Sequence, residues 1–257
     1  YESIVIDVTF VVPCYNEEKR IDEPRFAELA RGAHLIFVDD GSKDGTRAVL
    51  DAFARRTGDR VEVISLEKNS GKAEAVRRGM LMAAERGDRI VGFADADLAT
   101  PPREILRIGK TIDEQKVAVV LGARVALIGK RIERNPARHY LGRVFATIAT
   151  KVIRAPFYDT QCGAKAFLNT PSLRAALAEP FLTRWIFDLE ILGRLLVGDA
   201  TAPAVPLSDF YELPLEEWVD VRGSKIGLDM AARVWIDLGR IARDLERRRK
   251  NSPQEGK

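Results

Sequence analysis

Val8-Thr9-Phe10-Val11-Val12-Pro13-Cys14-Tyr15-Asn16-Glu17-Glu18 opens on a short run of apolar and β-branched residues and closes on a polar turn. The same event recurs in Leu35-Ile36-Phe37-Val38-Asp39-Asp40-Gly41-Ser42, and again in Ile90-Val91-Gly92-Phe93-Ala94-Asp95-Ala96-Asp97. A brief apolar run rich in Val, Ile and Phe suits a strand buried on both faces, and such strands belong to parallel sheets covered by helices. Working outward, Val61–Leu66 and Val117–Leu121 join Val8–Val12, Leu35–Val38 and Ile90–Ala94 as strand candidates. Helical patterns lie between them. Thr46–Thr57 sets Val49, Leu50 and Phe53 on one side, and Lys72–Arg86 does the same with Val76, Met80 and Leu81. Pro101 and Pro102 open a third helix running to about Gln115, proline being suited to a first turn. The alternation predicts an α/β fold with a mostly parallel, doubly wound sheet flanked by helices.

Beyond about residue 122 the alternation stops. Arg124–Pro136 is basic and reads as a loop. His139–Ile153, Phe181–Val197 and Ile226–Arg249 read as amphipathic helices, Tyr158–Phe167 as a short polar stretch, and Ser208–Gly223 as a segment of aromatic and acidic residues. The organisation expected is one domain over residues 1–250, with a nucleotide-binding half at 1–122 and an acceptor half at 123–250. A disordered tail is expected at 251–257.

Composition narrows the class without naming a function. The chain has 257 residues, 46% hydrophobic and 31% charged, which suits a globular α/β domain. A net charge of +3 does not point to nucleic acid as a partner. The basic residues cluster instead, between Arg124 and Arg154 and in Arg247-Arg248-Arg249-Lys250, where they suit phosphates or an anionic membrane surface. Cys14 and Cys162 form neither a disulfide framework nor a metal-ligand spacing, which fits a reducing compartment. No uncharged apolar run approaches the ~20 residues that span a bilayer.

Ligands of open α/β sheets sit at the carboxyl ends of the strands. Acidic residues gather at three of those ends. Asp95-Ala96-Asp97 presents alternate carboxylates, a donor set for a hard cation such as Mg²⁺ or Mn²⁺, with water and substrate phosphate completing the shell. Such an ion would neutralise a departing diphosphate. Asn69-Ser70-Gly71-Lys72 follows the third strand and opens a helix, where backbone N–H groups favour an anion. It is too short for a Walker loop, which argues against an NTPase.

These residues carry a resemblance. Val11-Val12-Pro13-Cys14-Tyr15-Asn16-Glu17-Glu18, Val38-Asp39-Asp40-Gly41-Ser42 and Asp95-Ala96-Asp97, in this order, resemble glycosyltransferase family 2 with its GT-A fold. Asp159-Thr160-Gln161-Cys162-Gly163-Ala164-Lys165, Arg184-Trp185-Ile186-Phe187-Asp188-Leu189-Glu190 and Gly223-Ser224-Lys225 resemble the family's dolichyl-phosphate β-glucosyltransferase branch. The resemblance spans about residues 8 to 240. Two positions depart from family patterns. Ala99 stands where the mannosyl branch usually has Gln, and Trp218-Val219-Asp220 stands where the glucosyl branch usually has Trp-x-Glu.

The resemblance implies an inverting, metal-dependent hexosyltransferase. It would move glucose from UDP-glucose to a polyprenyl (dolichyl-type) phosphate at the cytoplasmic face of a membrane, as a peripheral protein or through an anchor outside this sequence. It places Pro13, Tyr15, Glu17 and Asp40 around the nucleotide, Asn69 and Lys72 near base or phosphates, Asp95 on the ribose or the metal, Asp97 on the metal, and Asp188 as base. Gln161 belongs with the donor-side residues. Arg124, Lys165, Arg184 and Lys225, with Arg131, Arg134 and Arg138, are candidate phosphate clamps. Rival readings are another donor such as GDP-mannose, a saccharide or soluble acceptor, and a scaffold that binds nucleotide sugar without turnover. The helices at 139–153 and 226–249 have apolar stripes flanked by arginines, suited to docking on the core or to lying at a membrane surface.

Overall fold

A computed structural model describes residues 7–133, 136–220 and 228–251. Strands β1 (Val8–Cys14), β2 (His34–Asp39), β3 (Val61–Ser65), β4 (Ile90–Ala94) and β5 (Val119–Ala123) coincide with the five apolar runs. Helices α2 (Thr46–Thr57), α3 (Lys72–Arg86) and α4 (Pro102–Gln115) connect them, together with α1 (Glu23–Gly32), which the sequence reading did not place. α1 is capped by Asp22, whose side chain accepts the Arg25 N–H.

The second half holds α5 (Pro136–Ile153), α6 (Pro171–Ala178), α7 (Phe187–Val197) and α8 (Leu228–Asn251). Four segments differ from expectation. The basic stretch after β5 is not all loop: β6 (Arg131–Glu133) pairs with β9 (Glu217–Val219) in a small parallel ribbon. The short polar stretch Tyr158–Phe167 runs into β7 (Ala164–Leu168), and the aromatic, acidic segment contains β8 (Phe210–Pro214). The helix expected from Phe181 begins only at Phe187. Of the expected tail, Asn251 ends α8 and residues 252–257 lie outside the described residues.

The main sheet has the order β3-β2-β1-β4-β7-β5-β8. β7 is antiparallel to both its neighbours, β4 and β5, while the other pairings are parallel. Two apolar layers cover the sheet. On one face Phe26, Leu29, Leu50, Phe53, Ile105 and Ile108 pack from α1, α2 and α4. On the other, Val76, Met80, Leu173, Leu192, Leu238 and Ile241 pack from α3, α6, α7 and α8. The stripe of α8 thus docks on the body through Leu238, Ile241 and Leu245, whereas Trp235 and Ile236 stay exposed. No helix among the described residues is long and apolar enough to cross a membrane.

Insertion of β7 depends on a close backbone approach. Gly92 in β4 stands opposite Ala166, and a methyl group there would run into the Lys165 carbonyl oxygen and the Phe10 ring. Backbone cannot yield as a side-chain tip can. Gly92→Ala is therefore expected to destabilise the protein by about 3 kcal/mol. Urea unfolding monitored by circular dichroism checks it, and an unchanged midpoint would disprove the close approach.

Candidate functional site

The carboxyl ends of β1, β2, β4 and β5, the start of antiparallel β7, and the N-termini of α3 and α7 meet along one edge of the sheet. The loops after β1 and β2 are fastened to each other. The Asn16 N–H donates to Ser42 Oγ, the Lys43 N–H to Asn16 Oδ1, and the Glu17 N–H to Thr46 Oγ1. This arrangement leaves Tyr15 exposed and Pro13 partly so.

Asp40 is buried, and its two carboxylate oxygens accept the N–H groups of Ser70 (2.7 Å) and Gly71 (2.8 Å). Burial raises its pKa, opposed in part by those two N–H donors. Asp40 therefore braces the turn that opens α3, a use the sequence reading did not foresee. Gly71 has φ 98°, and a Cβ there would lie 2.6 Å from Arg184 Nε. Arg184 also donates to Asn69 Oδ1 at 2.6 Å, so the turn is held from both sides.

Lys72, the first residue of α3, places Nζ 2.5 Å from Asp95 Oδ1. Burial opposes its charge, but the carboxylates of Asp95, Asp188 and Asp97 overcome this and raise its pKa. Asp97 is partly exposed. Its Oδ1 accepts the Ala99 N–H at 3.0 Å, and its Oδ2 lies 3.9 Å from Arg20. Burial and the neighbouring Asp95 charge push the Asp97 carboxyl above its ordinary range. Together the two carboxylates form a hard-oxygen pair fit for a divalent cation. Among the described residues no group of three or more His, Cys, Asp or Glu is arranged to hold an ion unaided. Gly163 makes room beside this pair: a side chain there would collide with the Asp95 carboxylate.

Asp188 stands in the first turn of α7, where the helix dipole favours a carboxylate. Its Oδ1 lies 2.5 Å from Lys165 Nζ, which also donates to the Cys162 carbonyl at 2.6 Å and sits above the Phe93 ring. The segment before α7 is strapped down from below. Arg194 donates to the carbonyls of Ala176, Glu179 and Pro180 and pairs with Glu190, which accepts the Leu182 N–H.

Three candidate clamps have other duties. Arg124 makes a bidentate pair with Asp159, 2.7 and 2.8 Å, and stacks on Trp218. Burial opposes that charge, but Asp159 raises its pKa further, so the fork is committed within the protein. Lys165 is fully buried, out of a phosphate's reach. Arg131 pairs with Glu133 and Glu217 on the exposed ribbon. The Gln161 backbone N–H is held by Asp159 Oδ1. Lys225 and Arg134 lie outside the described residues, as does the side chain of Arg138.

The sequence reading missed Arg20, Gly163 and Glu212. Glu212 accepts the N–H groups of Tyr158 and Asp159 and so holds the Gln161 loop. Arg20 was signalled by its closeness to Glu17-Glu18, and Gly163 by a glycine inside a polar stretch. Glu212 lies in a strand far along the chain and left no local signal.

Comparison with known proteins fits this geometry. The sequence model of glycosyl transferase family 2 matches residues 9–175. The human dolichyl-phosphate beta-glucosyltransferase is 29% identical over 262 residues, covering 93% of this chain and 75% of that protein. A dolichyl-phosphate beta-glucosyltransferase of Trichomonas vaginalis is 33% identical over 250 residues, covering 91% and 70%. Among solved structures, glucosyl-3-phosphoglycerate synthase from Mycobacterium tuberculosis, in complex with Mn²⁺, UDP and glucosyl-3-phosphoglycerate, superposes with a TM-score of 0.61 at 20% identity. It covers 98% of this chain and 82% of that one, a likeness of fold.

Proposed function

The chain belongs to glycosyltransferase family 2, with the GT-A fold, and from that membership we propose that it transfers glucose from UDP-glucose to a polyprenyl (dolichyl-type) phosphate. The transfer inverts the anomeric carbon and uses Mg²⁺ or Mn²⁺. The observation that carries the reading is the convergence of Asp95, Asp97, Lys72 and Asp188 at one sheet edge. Lys72 is paired to Asp95, and its charge is reinforced by Asp97 and Asp188. Relatives named for dolichyl-phosphate glucosylation, similar over nine-tenths of the chain, support the choice of acceptor.

In this reading Pro13, Tyr15 and Glu17 flank the nucleotide. Asp40 serves it indirectly, by fixing the turn at Asn69–Gly71. Asp95 and Asp97 would hold the ion, which when bound neutralises charge on the leaving diphosphate. Lys72 and Arg184 supply further positive charge on the phosphate side. A phosphate acceptor is ionised near neutral pH, so positioning does most of the work. Asp188, fixed by Lys165, orients the acceptor and takes a proton if the phosphate carries one. The attacking phosphate oxygen forms the bond to the anomeric carbon as the bond to UDP breaks. In this reading the protein works at the cytoplasmic face of a membrane, peripherally or through an anchor.

Isothermal titration with UDP and GDP, each with Mn²⁺, tests the donor. UDP is expected to bind at least tenfold tighter, about 1.4 kcal/mol. A GDP preference would move the chain to mannosyl transfer. Transfer of radiolabel from UDP-glucose to an extractable short-chain polyprenyl phosphate tests the acceptor, and label found only in water-soluble product would overturn it.

A further inference from the structure

We propose that Lys72 is a resident counter-ion of the Asp95–Asp97 pair, occupying the seat that a divalent cation takes once a nucleoside diphosphate draws the ammonium away. The inference rests on the nucleotide-sugar reading and concerns how that site loads. Lys72 Nζ lies 2.5 Å from Asp95 Oδ1, and Arg20 lies 3.9 Å from Asp97 Oδ2, so each carboxylate faces a cation supplied by the chain. With no third protein ligand of the His, Cys, Asp or Glu kind beside them among the described residues, an ion depends on these two carboxylates and on oxygens brought by a ligand.

A bare divalent ion approaching Asp95 meets an ammonium already bound there. It must break that pair, and it stands beside a like charge until the lysine moves. A diphosphate changes both conditions. It gives the ammonium a new anionic partner at the start of its own helix, beside the Arg184 side chain that braces the same turn. It gives the ion its missing ligands. The four-carbon stem of lysine turns about its own bonds, so the exchange needs no backbone movement. Asp188 and Lys165 stay paired throughout, because Lys165 is fully buried and also bonded to the Cys162 carbonyl.

The consequence is coupling. If releasing Lys72 from Asp95 is a shared step, the nucleotide tightens ion binding, and the ion tightens nucleotide binding by the same factor. Removing the lysine's charge then has opposite effects on the two ligands taken singly. The ion loses a competitor, and the nucleotide loses a partner.

The test uses no acceptor and no turnover. Mn²⁺ is titrated calorimetrically into the parent, Lys72→Gln and Lys72→Met, with and without UDP, and melting temperatures confirm that each variant is folded. Both variants are expected to bind Mn²⁺ alone about tenfold tighter than the parent and UDP alone about tenfold more weakly. The enhancement of Mn²⁺ binding by UDP should shrink correspondingly. Mn²⁺ alone binding the variants no tighter than the parent overturns the counter-ion role. Coupling retained in full by both variants overturns it too, while leaving the nucleotide-sugar site standing. If neither UDP nor GDP affects Mn²⁺ binding in the parent, the nucleotide-sugar reading itself fails, and this inference with it.

Discussion

Asp97→Asn is expected to lower glucosyl transfer by roughly a thousandfold while leaving the fold intact. The Asp97 side chain is partly exposed, accepts one hydrogen bond from the Ala99 N–H, and makes only a long ion pair to Arg20. An asparagine can keep the hydrogen bond, so stability should change little. What it cannot keep is the negative charge beside Asp95. The variant should therefore bind UDP equally in Mn²⁺ and in EDTA, whereas the parent should bind it more tightly with Mn²⁺. Transfer to a short-chain polyprenyl phosphate, measured alongside the two titrations, reads both effects. Identical UDP affinity of the parent in Mn²⁺ and in EDTA would remove the ion from the reading.

Asp188→Ala should fail differently, by losing stability as well as activity. The Lys165 ammonium is fully buried and held by the Asp188 carboxylate and the Cys162 carbonyl. Deleting one partner of a buried pair strands the other charge, at a cost of about 3–5 kcal/mol. Replacing both members with apolar side chains of similar size, Asp188→Leu with Lys165→Met, removes the stranded charge and should restore most of that loss. It should not restore transfer, because the carboxylate assigned to the acceptor is still gone. Urea unfolding of both variants beside the parent separates packing from chemistry. A parent-like midpoint for Asp188→Ala would show that the pair contributes nothing to the fold, and parent-like transfer by the double variant would take Asp188 out of the reaction.

What could be read in the sequence follows from where each segment is buried. β1, β2, β4 and β5 are covered on both faces, so their apolar runs stand out. β7 is equally central yet hidden, because Ala164-Lys165-Ala166-Phe167-Leu168 carries a lysine at its heart whose burial makes sense only once Asp188 is beside it. β8, on the sheet edge, is only half-buried and reads as a mixed polar segment. The acidic residues at the strand ends were visible, as were Lys72 and Asp188. Their partners were not. Asp40 faces backbone N–H groups thirty residues away, and Arg124 faces Asp159 across a comparable gap. A basic residue near a strand end looks the same in sequence whether it awaits a phosphate or is already paired.

The position of β7 bears on the order in which a ribosome could let this sheet assemble. β4 and β5 are consecutive strands in the chain but are not neighbours in space; the gap between them is filled by residues 164–168. When β5 emerges, neither of its flanking partners, β7 and β8, has yet been made. β1 to β4 can pair early, but their open edge at β4 stays unsatisfied over some seventy further residues of synthesis. Such non-local closure slows folding and leaves an unpaired strand edge exposed meanwhile. A nascent chain halted shortly after β5 should therefore be cut readily by protease at β5, and should become resistant there only once β7 and β8 have left the exit tunnel.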